Sequence, residues 1–248
     1  MILPERLDAR GSALFFDIDG TLAHIRPRPE DVGPDVRRND LLKRARRVLQ
    51  GRLAILSGRP ISEIDYIVDN SVRAVAGVHG LERRNAEGER LDQAISDDVR
   101  HALDQALLLL DALPAQKPGV LVETKGKAIG VHYRLNPSAE DLVKTITGNI
   151  ADNSPLSLQL GDRVAELRAP GPDKGDALRA FMAEPPFAGF RPVFVGDDLT
   201  DEHAFRAAAE LGGFGIRVGD EVETAALYRL PNVQAVIDWL EAGVTHHA

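Results

Sequence analysis

The chain has 248 residues, 44% hydrophobic and 27% charged, a balance that provides enough apolar surface for a core and argues against extended disorder. Its 38 acidic and 30 basic residues give a net charge of −8, which opposes general attraction to nucleic acid or an anionic membrane but leaves open a local cationic pocket for a small anion. The absence of cysteine excludes disulfides, thiolate-held metals and a cysteine nucleophile, while carboxylate and histidine ligands stay available.

The amino end, MILPERLDARGS, turns polar within five residues and lacks an apolar core followed by small residues, so no secretory signal is expected. Ala13–Phe16 is a short apolar run that stops at Asp17 and the turn-forming Asp19-Gly20, the pattern of a buried strand entering a loop. The same shape recurs where 53–56 meets Ser57-Gly58-Arg59, where 72–76 meets Gly77, and where 192–195 meets Gly196-Asp197-Asp198. Helical patterns over 39–49, 60–68, 174–183 and 200–210 alternate with these strands. Such alternation predicts an α/β fold with a doubly wound parallel sheet, whose ligands bind beyond the carboxyl ends of the strands.

The middle of the chain breaks this rhythm. Val99, Leu103, Ala106, Leu107, Leu110 and Leu113 follow helical spacing, and Pro114 to Pro118 is expected to close that helix. Its run ALLLL, the richest in apolar residues, is closed by Asp111 and falls short of the ~18 residues of a membrane helix. A hairpin of 120–124 and 128–133, a helix over 138–151 and a strand pair near 156–168 follow, predicting an inserted α+β module. The expected boundaries place a core at 1–94 and 170–248 and the module at 95–169. A last amphipathic helix runs from Pro231 through Leu240, and 245–248 are expected to fray.

Asp17 and Asp19 lie two residues apart at a strand terminus, so both can face one reaction centre, where mutual repulsion calls for a divalent metal or a shared proton. An all-oxygen site favours magnesium, and one carboxylate could attack phosphorus while the other moves protons. An Asp-Gly pair after a strand can also be a simple turn. An EF-hand does not fit, because its sixth and twelfth positions hold Leu22 and Arg28, and no GxxxxGK[ST] loop accompanies the strand. The cluster Asp197, Asp198, Asp201 and Glu202 exceeds what capping a helix requires. Ser57-Gly58-Arg59-Pro60 can offer a hydroxyl and amides to a phosphate, with Pro60 suited to a first turn, and Lys174 opens a helix.

In this order (acid pair, serine loop, lysine, acid cluster) the chain resembles the haloacid dehalogenase (HAD) superfamily of phosphotransferases, with the insert in the position of its larger α+β cap. That resemblance implies Asp17 as nucleophile, Asp19 as general acid and base, and Ser57 with Lys174 on the phosphoryl oxygens. It also implies Mg2+ held by Asp17, Asp19 and Asp197, with Asp198 and Asp201 in support. The strings FFDIDGTLAHIRPRPEDV, GVHGLE, ETKGKAIGVHYR, ELRAPGPDKGDAL and GDDLTDE are similar to those of trehalose-6-phosphate phosphatases. This further likeness implies sugar contacts from Glu123, Lys125, Arg134 and Glu166, with His79 and Glu82 near the same cleft and Thr21, Gly58 and Arg59 of the motif loops beside the substrate. Read from the residues alone, Glu123, Lys125 and Arg134 are cross-strand charge pairs on a hairpin face, and His132 alternates away or packs inside. The resulting expectation is a cytoplasmic, monomeric phosphomonoesterase acting on a small sugar phosphate, with no nucleic-acid or membrane partner. Phosphatases of sucrose 6-phosphate, a glycosyl-glycerate phosphate or a hexose phosphate, a phosphomutase, and a catalytically idle sugar-phosphate sensor are the alternatives.

Overall fold

Short apolar runs that stop at polar loops become the strands of the larger sheet. A computed structural model describes residues 2–245, so the fraying expected of 246–248 lies outside the described residues. The chain opens with β1 (Ser12–Phe16), α1 (Val36–Val48), β2 (Leu53–Leu56), α2 (Ile61–Val68), β3 (Ala74–Gly77) and β4 (Glu82–Arg84). The middle holds α3 (Asp97–Leu110), α4 (Leu113–Gln116), β5 (Leu121–Thr124), β6 (Ala128–His132), α5 (Glu140–Asp152), β7 (Ser157–Gly161) and β8 (Val164–Arg168). It ends with α6 (Lys174–Met182), β9 (Arg191–Gly196), α7 (Glu202–Glu210), β10 (Phe214–Val218), β11 (Tyr228–Leu230) and α8 (Val233–Thr245). Two compact units result, one of Met1–Asp92 with Pro172–Ala248 and one of Gln93–Gly171.

The larger unit is a seven-stranded sheet in the order β11-β10-β9-β1-β2-β3-β4, parallel except for β4. Alternate strand residues feed two hydrophobic layers, as the pleat dictates. On one face Leu14, Phe16, Ile55, Val75, Val193, Val195 and Ile216 pack with Leu41, Leu42, Ile64, Ile67, Val236 and Leu240 of α1, α2 and α8. On the other, Ala13, Ala54, Ala74 and Ala76 leave room for the rings of Phe15, Phe181, Phe187, Phe194 and Phe205, brought in partly by α6 and α7. Phe15 stacks on Phe187 at 5.4 Å between ring centres. Small strand residues facing large aromatics let this layer fill at crystalline density. The edge strand β4 is short and charged, which discourages pairing with another chain; Arg84 closes a fork onto Asp65 at 2.7 Å through both nitrogens.

The smaller unit is a four-stranded antiparallel sheet, β5-β6-β8-β7, built by two successive helix–strand–strand units. Val122, Val131 and Ala165, then Ile129, Leu167 and Leu158, fall in register on one face. α3 and α5 pack against strands of this sheet, burying Val99, Leu103, Ala106 and Leu110 from α3 and Val143 and Thr147 from α5. Glu123, Gly130, Glu166 and Gln159 form a single cross-strand row on the opposite face.

Several boundaries move for identifiable reasons. α1 starts earlier than position 39 because Asp35 caps it, accepting from Arg38 N at 2.7 Å. Pro114 does not close the α3 pattern as a turn; it sits at the second position of the short helix α4, where a missing amide is harmless. Pro60 is the N-cap of α2 rather than its first residue. The units divide just beyond Asp92, whose carboxylate accepts from Arg83 N at 3.1 Å and ties it to β4. Thr245 is still helical. The sequence reading passes over β4, β10 and β11, which are three to five residues long.

Candidate active site

β1 continues its ladder one residue past Phe16, with Asp17 N donating to Val195 O of β9 at 3.0 Å. Asp17 is therefore fixed at the carboxyl edge of the sheet and is 5% exposed. The next residues curl tightly: Ile18 O accepts from the amides of Thr21, Leu22 and Ala23. Gly20 makes this curl possible, because its φ is +77° and any Cβ there would overlap the Asp197 carboxylate. Thr21 Oγ1 donates to Asp197 Oδ1 at 3.1 Å, joining the β1 loop to the β9 loop.

Lys174, the first residue of α6, is buried to 2% and holds two carboxylates, Asp17 Oδ2 at 3.0 Å and Asp201 Oδ1 at 2.6 Å. Asp173 positions it by capping α6 in a reciprocal box with Asp176. Asp201 is fully buried, and its second oxygen accepts from the amides of Asp197 and Asp198 at 2.9 and 3.0 Å. Both of its oxygens are thus engaged in holding the loop and the lysine. Asp198 caps the 3-10 turn Leu199–Asp201, accepting from Leu199 N at 2.7 Å. The two acids differ from expectation in this respect: the side chain in the buried cluster is Asp201, while that of Asp198 serves the turn.

Carboxylate oxygens of Asp17, Asp197 and Asp201 lie within 4.8 Å of one another. Burial pushes the Asp17 carboxyl up to about 7; Lys174 opposes the rise, and Asp201 and Asp19 reinforce it. Burial likewise pushes Asp197 up to about 9, aided by Asp17, Asp201 and Asp198. For Lys174, burial alone would lower the pKa, but Asp17 and Asp201 outweigh it and hold the ammonium above its ordinary value. Asp17 Oδ1 is buried with no hydrogen-bond partner. A buried oxygen without a donor, close to a second carboxylate, is the arrangement that a hard divalent cation would complete.

Asp19 turns to a different partner. Arg59, which follows the β2 strand end, grips it in a fork, Nε to Oδ2 at 2.6 Å and Nη2 to Oδ1 at 2.9 Å, while also binding Glu63 Oε2 and Pro29 O at 3.0 Å. The side chain of Arg59, expected beside the substrate, is buried to 8% in this network. Ser57 follows β2, its amide donating to Ala76 O, and His79 N donates to Ser57 O at 2.9 Å. His79 sits in left-handed backbone (φ +55°) with its ring against Gly58. Glu82, expected near the sugar, accepts from Ile61 N at 2.8 Å. It supplies the capping oxygen that Pro60 lacks at the start of α2.

In the smaller unit the expected sugar residues gather on the polar face of the sheet. Lys125 Nζ meets Glu166 Oε2 at 2.6 Å and lies 3.9 Å from Glu123 Oε2. His132, expected to turn away or pack inside, lies 2.7 Å from Glu123 through Nε2. Arg134 stands apart, with Nη2 on Asp162 O and Oδ2 at 2.7 and 3.0 Å. Asp201 and the Arg59 fork are the parts of the site least visible in the sequence; a buried acid among four, and an arginine beside a phosphate-type loop, were their only signals.

The family model for trehalose-phosphatases matches residues 15–234. The trehalose-6-phosphate phosphatase of Escherichia coli (strain K12) is 40% identical over 234 residues, covering 92% of this chain and 85% of its own. A probable trehalose-phosphate phosphatase of Sinorhizobium fredii is 36% identical, with 90% and 84% covered. Among solved structures, a trehalose-6-phosphate phosphatase related protein superposes with a TM-score of 0.78 at 26% identity, over 94% of this chain and 97% of that one. A HAD-superfamily phosphatase from Bacteroides thetaiotaomicron shares the fold at 18% identity, with a TM-score of 0.63 and coverage of 99% and 98%.

Proposed function

Because the chain belongs to the trehalose-phosphatase family of the HAD superfamily, we propose that it hydrolyses trehalose 6-phosphate to trehalose and phosphate through a phosphorylated Asp17. The observation that supports this most directly is the buried pairing of Asp17 with Lys174 at 3.0 Å, beside an Asp17 oxygen that has no other partner. A carboxylate nucleophile must approach a phosphate dianion, and a fixed ammonium at its edge offsets that repulsion.

In the first step an Asp17 oxygen bonds to phosphorus as the bond from phosphorus to the sugar oxygen breaks, and Asp19, which takes up a proton from solvent beforehand and is aimed by Arg59, gives that proton to the departing oxygen. In the second, Asp19 takes a proton from water, the water oxygen bonds to phosphorus, and the bond to Asp17 breaks, releasing phosphate. Ser57 and Lys174 are assigned to the phosphoryl oxygens. Thr21 and Asp201 keep the β1 and β9 loops in place through the bonds to Asp197 and to the amides of Asp197 and Asp198. Asp17, the Asp19 backbone carbonyl and Asp197 would hold Mg2+, with Asp198 beside them. When bound, the ion neutralises phosphoryl charge and orients the group for in-line attack. Glu123, Lys125 and Glu166 are assigned to the sugar, whose hydroxyls match carboxylate acceptors and an ammonium donor.

The proposal includes a cytoplasmic monomer with a small-molecule substrate and no nucleic-acid or membrane partner; among the described residues, no helix is long and apolar enough to cross a membrane. Phosphate release from trehalose 6-phosphate in the presence of Mg2+, abolished in Asp17→Asn and after chelation, is the expected result. Turnover by Asp17→Asn at the wild-type rate would overturn the mechanism. A panel including sucrose 6-phosphate and glucose 6-phosphate tests the substrate; faster turnover of either would move the assignment to that sugar.

A further inference from the structure

On the polar face of the smaller sheet, the row Glu123–Gly130–Glu166 sets two carboxylates on the strands that flank a glycine. Gly130 is not in a turn; it lies in the middle of β6, where glycine weakens a strand and marks a close approach by another group. A Cβ built there would stand 3.1 Å from His132 Nε2, 3.5 Å from Glu123 Oε2 and 3.6 Å from Lys125 Cε. The three side chains therefore fold across the bare backbone of Gly130. Lys125 crosses it to reach Glu166 at 2.6 Å, and His132 meets Glu123 at 2.7 Å. His132 shares this face because it is two residues from Gly130 on the same strand.

Resting on the sugar-binding role given above to Glu123, Lys125 and Glu166, we propose that His132 and Gly130 are positioning residues that set specificity for the sugar. His132 fixes the Glu123 carboxylate through Nε2, and Gly130 leaves the space in which that contact forms, since a Cβ there would crowd Nε2 at 3.1 Å. The contact is short, and a hydrogen bond to an ionised carboxylate is both strong and directional. The His132 and Glu123 side chains are 18 and 20% exposed, so the pair is ordered yet reachable by a ligand. Without His132, Glu123 loses the short contact that turns Oε2 toward the polar face. The consequence falls on recognition of the sugar rather than on cleavage of the phosphate ester.

The test compares kcat/KM for trehalose 6-phosphate with that for p-nitrophenyl phosphate, which has no sugar, in His132→Ala, His132→Phe, His132→Gln, His132→Asn and Gly130→Ala. The ratio is expected to fall about tenfold in His132→Ala and His132→Phe, through KM, as the loss of one charge-assisted bond implies. His132→Gln should restore most of it, because its amide nitrogen reaches the position of Nε2, whereas the shorter His132→Asn should not. Gly130→Ala, which pushes Nε2 away by a few tenths of an ångström, should give a part of the His132→Ala defect in the same direction, and should add little in the double variant with His132→Ala. Equal losses on both substrates, or equal behaviour of the Gln and Asn variants, would overturn the positioning role. Glu123→Ala separates the two levels of the proposal. If it lowers the ratio while His132→Ala does not, the His132 inference fails alone; if it leaves the ratio unchanged, the sugar assignment itself falls. Thermal midpoints of all variants identify any that fail to fold, and Gly130→Ala carries the test if His132→Ala is one of these.

Discussion

Replacing Lys174 with methionine keeps the length of the side chain but removes the cation that faces Asp17 and Asp201. The lysine is 2% exposed, and its two contacts are 3.0 and 2.6 Å long. At an effective dielectric constant of about 20, a charge pair 3.0 Å apart has an attraction of roughly 5.5 kcal/mol before the penalty for leaving water is subtracted. Net of desolvation, breaking a buried pair by deleting one partner destabilises by about 3–5 kcal/mol, because the orphaned charge stays behind. For a unit of this size, that corresponds to a fall in Tm of roughly 6–20 °C. Chemical denaturation of Lys174→Met in a chelating buffer reads this; because Lys174 holds the Asp17 pKa down, its removal raises it further, so the variant binds a proton there and the loss relative to the parent grows as pH rises through 7. Adding Asp201→Asn to Lys174→Met should recover part of the loss by removing one uncompensated charge. A loss under about 1 kcal/mol, the range of exposed ion pairs, would refute the view of Lys174 as the hub of the buried cluster.

Without a divalent cation, Asp17 and Asp197 have folded-state pKa values raised from 3.8 to about 7 and about 9. The folded state then binds protons more tightly than the unfolded one, so the stabilising contribution is complete below 3.8 and is lost as pH rises through 7 and 9. Tm in chelator should fall across that window, and the increase in Tm on adding Mg2+ should grow with pH; a Mg2+ effect independent of pH would contradict the assignment of the cluster. Arg59→Ala removes the fork that aims Asp19, and turnover should fall about a hundredfold for an alkyl phosphate but less for aryl phosphates, whose leaving groups need no proton. A series of aryl phosphates of graded leaving-group acidity checks this. Glu82→Ala removes the cap of α2 and should cost about 1 kcal/mol of stability while changing KM little; a large rise in KM would restore Glu82 to the sugar cleft.

The acid pair, the serine loop, the lysine and the acid cluster were legible in the sequence because each sits where an apolar run stops or a helix starts, and such places are marked by local chemistry. Which acid of the GDDLTDE string enters the cluster was not legible. Asp198 and Asp201 are three residues apart across a turn that each helps to cap, and only the turn's geometry sends Asp201 inward. The partners of Arg59 and Glu82 were hidden for another reason. Asp19 is 40 residues from Arg59 and Ile61 is 21 from Glu82, so composition gives no hint of either bond. His132 was misread because alternation along one strand shows which residues share a face, but not which face meets Glu123; that requires the register Glu123↔Gly130. β10 and β11 escaped because Gly212-Gly213 precedes Phe214 and the Tyr228–Leu230 strand is too short to show a period.

The pairing of β1 with β9 has a consequence in time. Ser12 faces Arg191 across that ladder, so the strand that leads into Asp17 waits for one of its two neighbours until β9, about 180 residues later, has been made. Closing so long a loop is entropically slow, and chains emerge from the ribosome amino end first. Lys174 and Asp197 arrive in the same late segment. A chain that ends before β9 therefore carries Asp17 without Asp197, the second carboxylate of the buried cluster. Phosphatase chemistry is withheld until the fold is finished, and any truncation before β9 should yield an inert product.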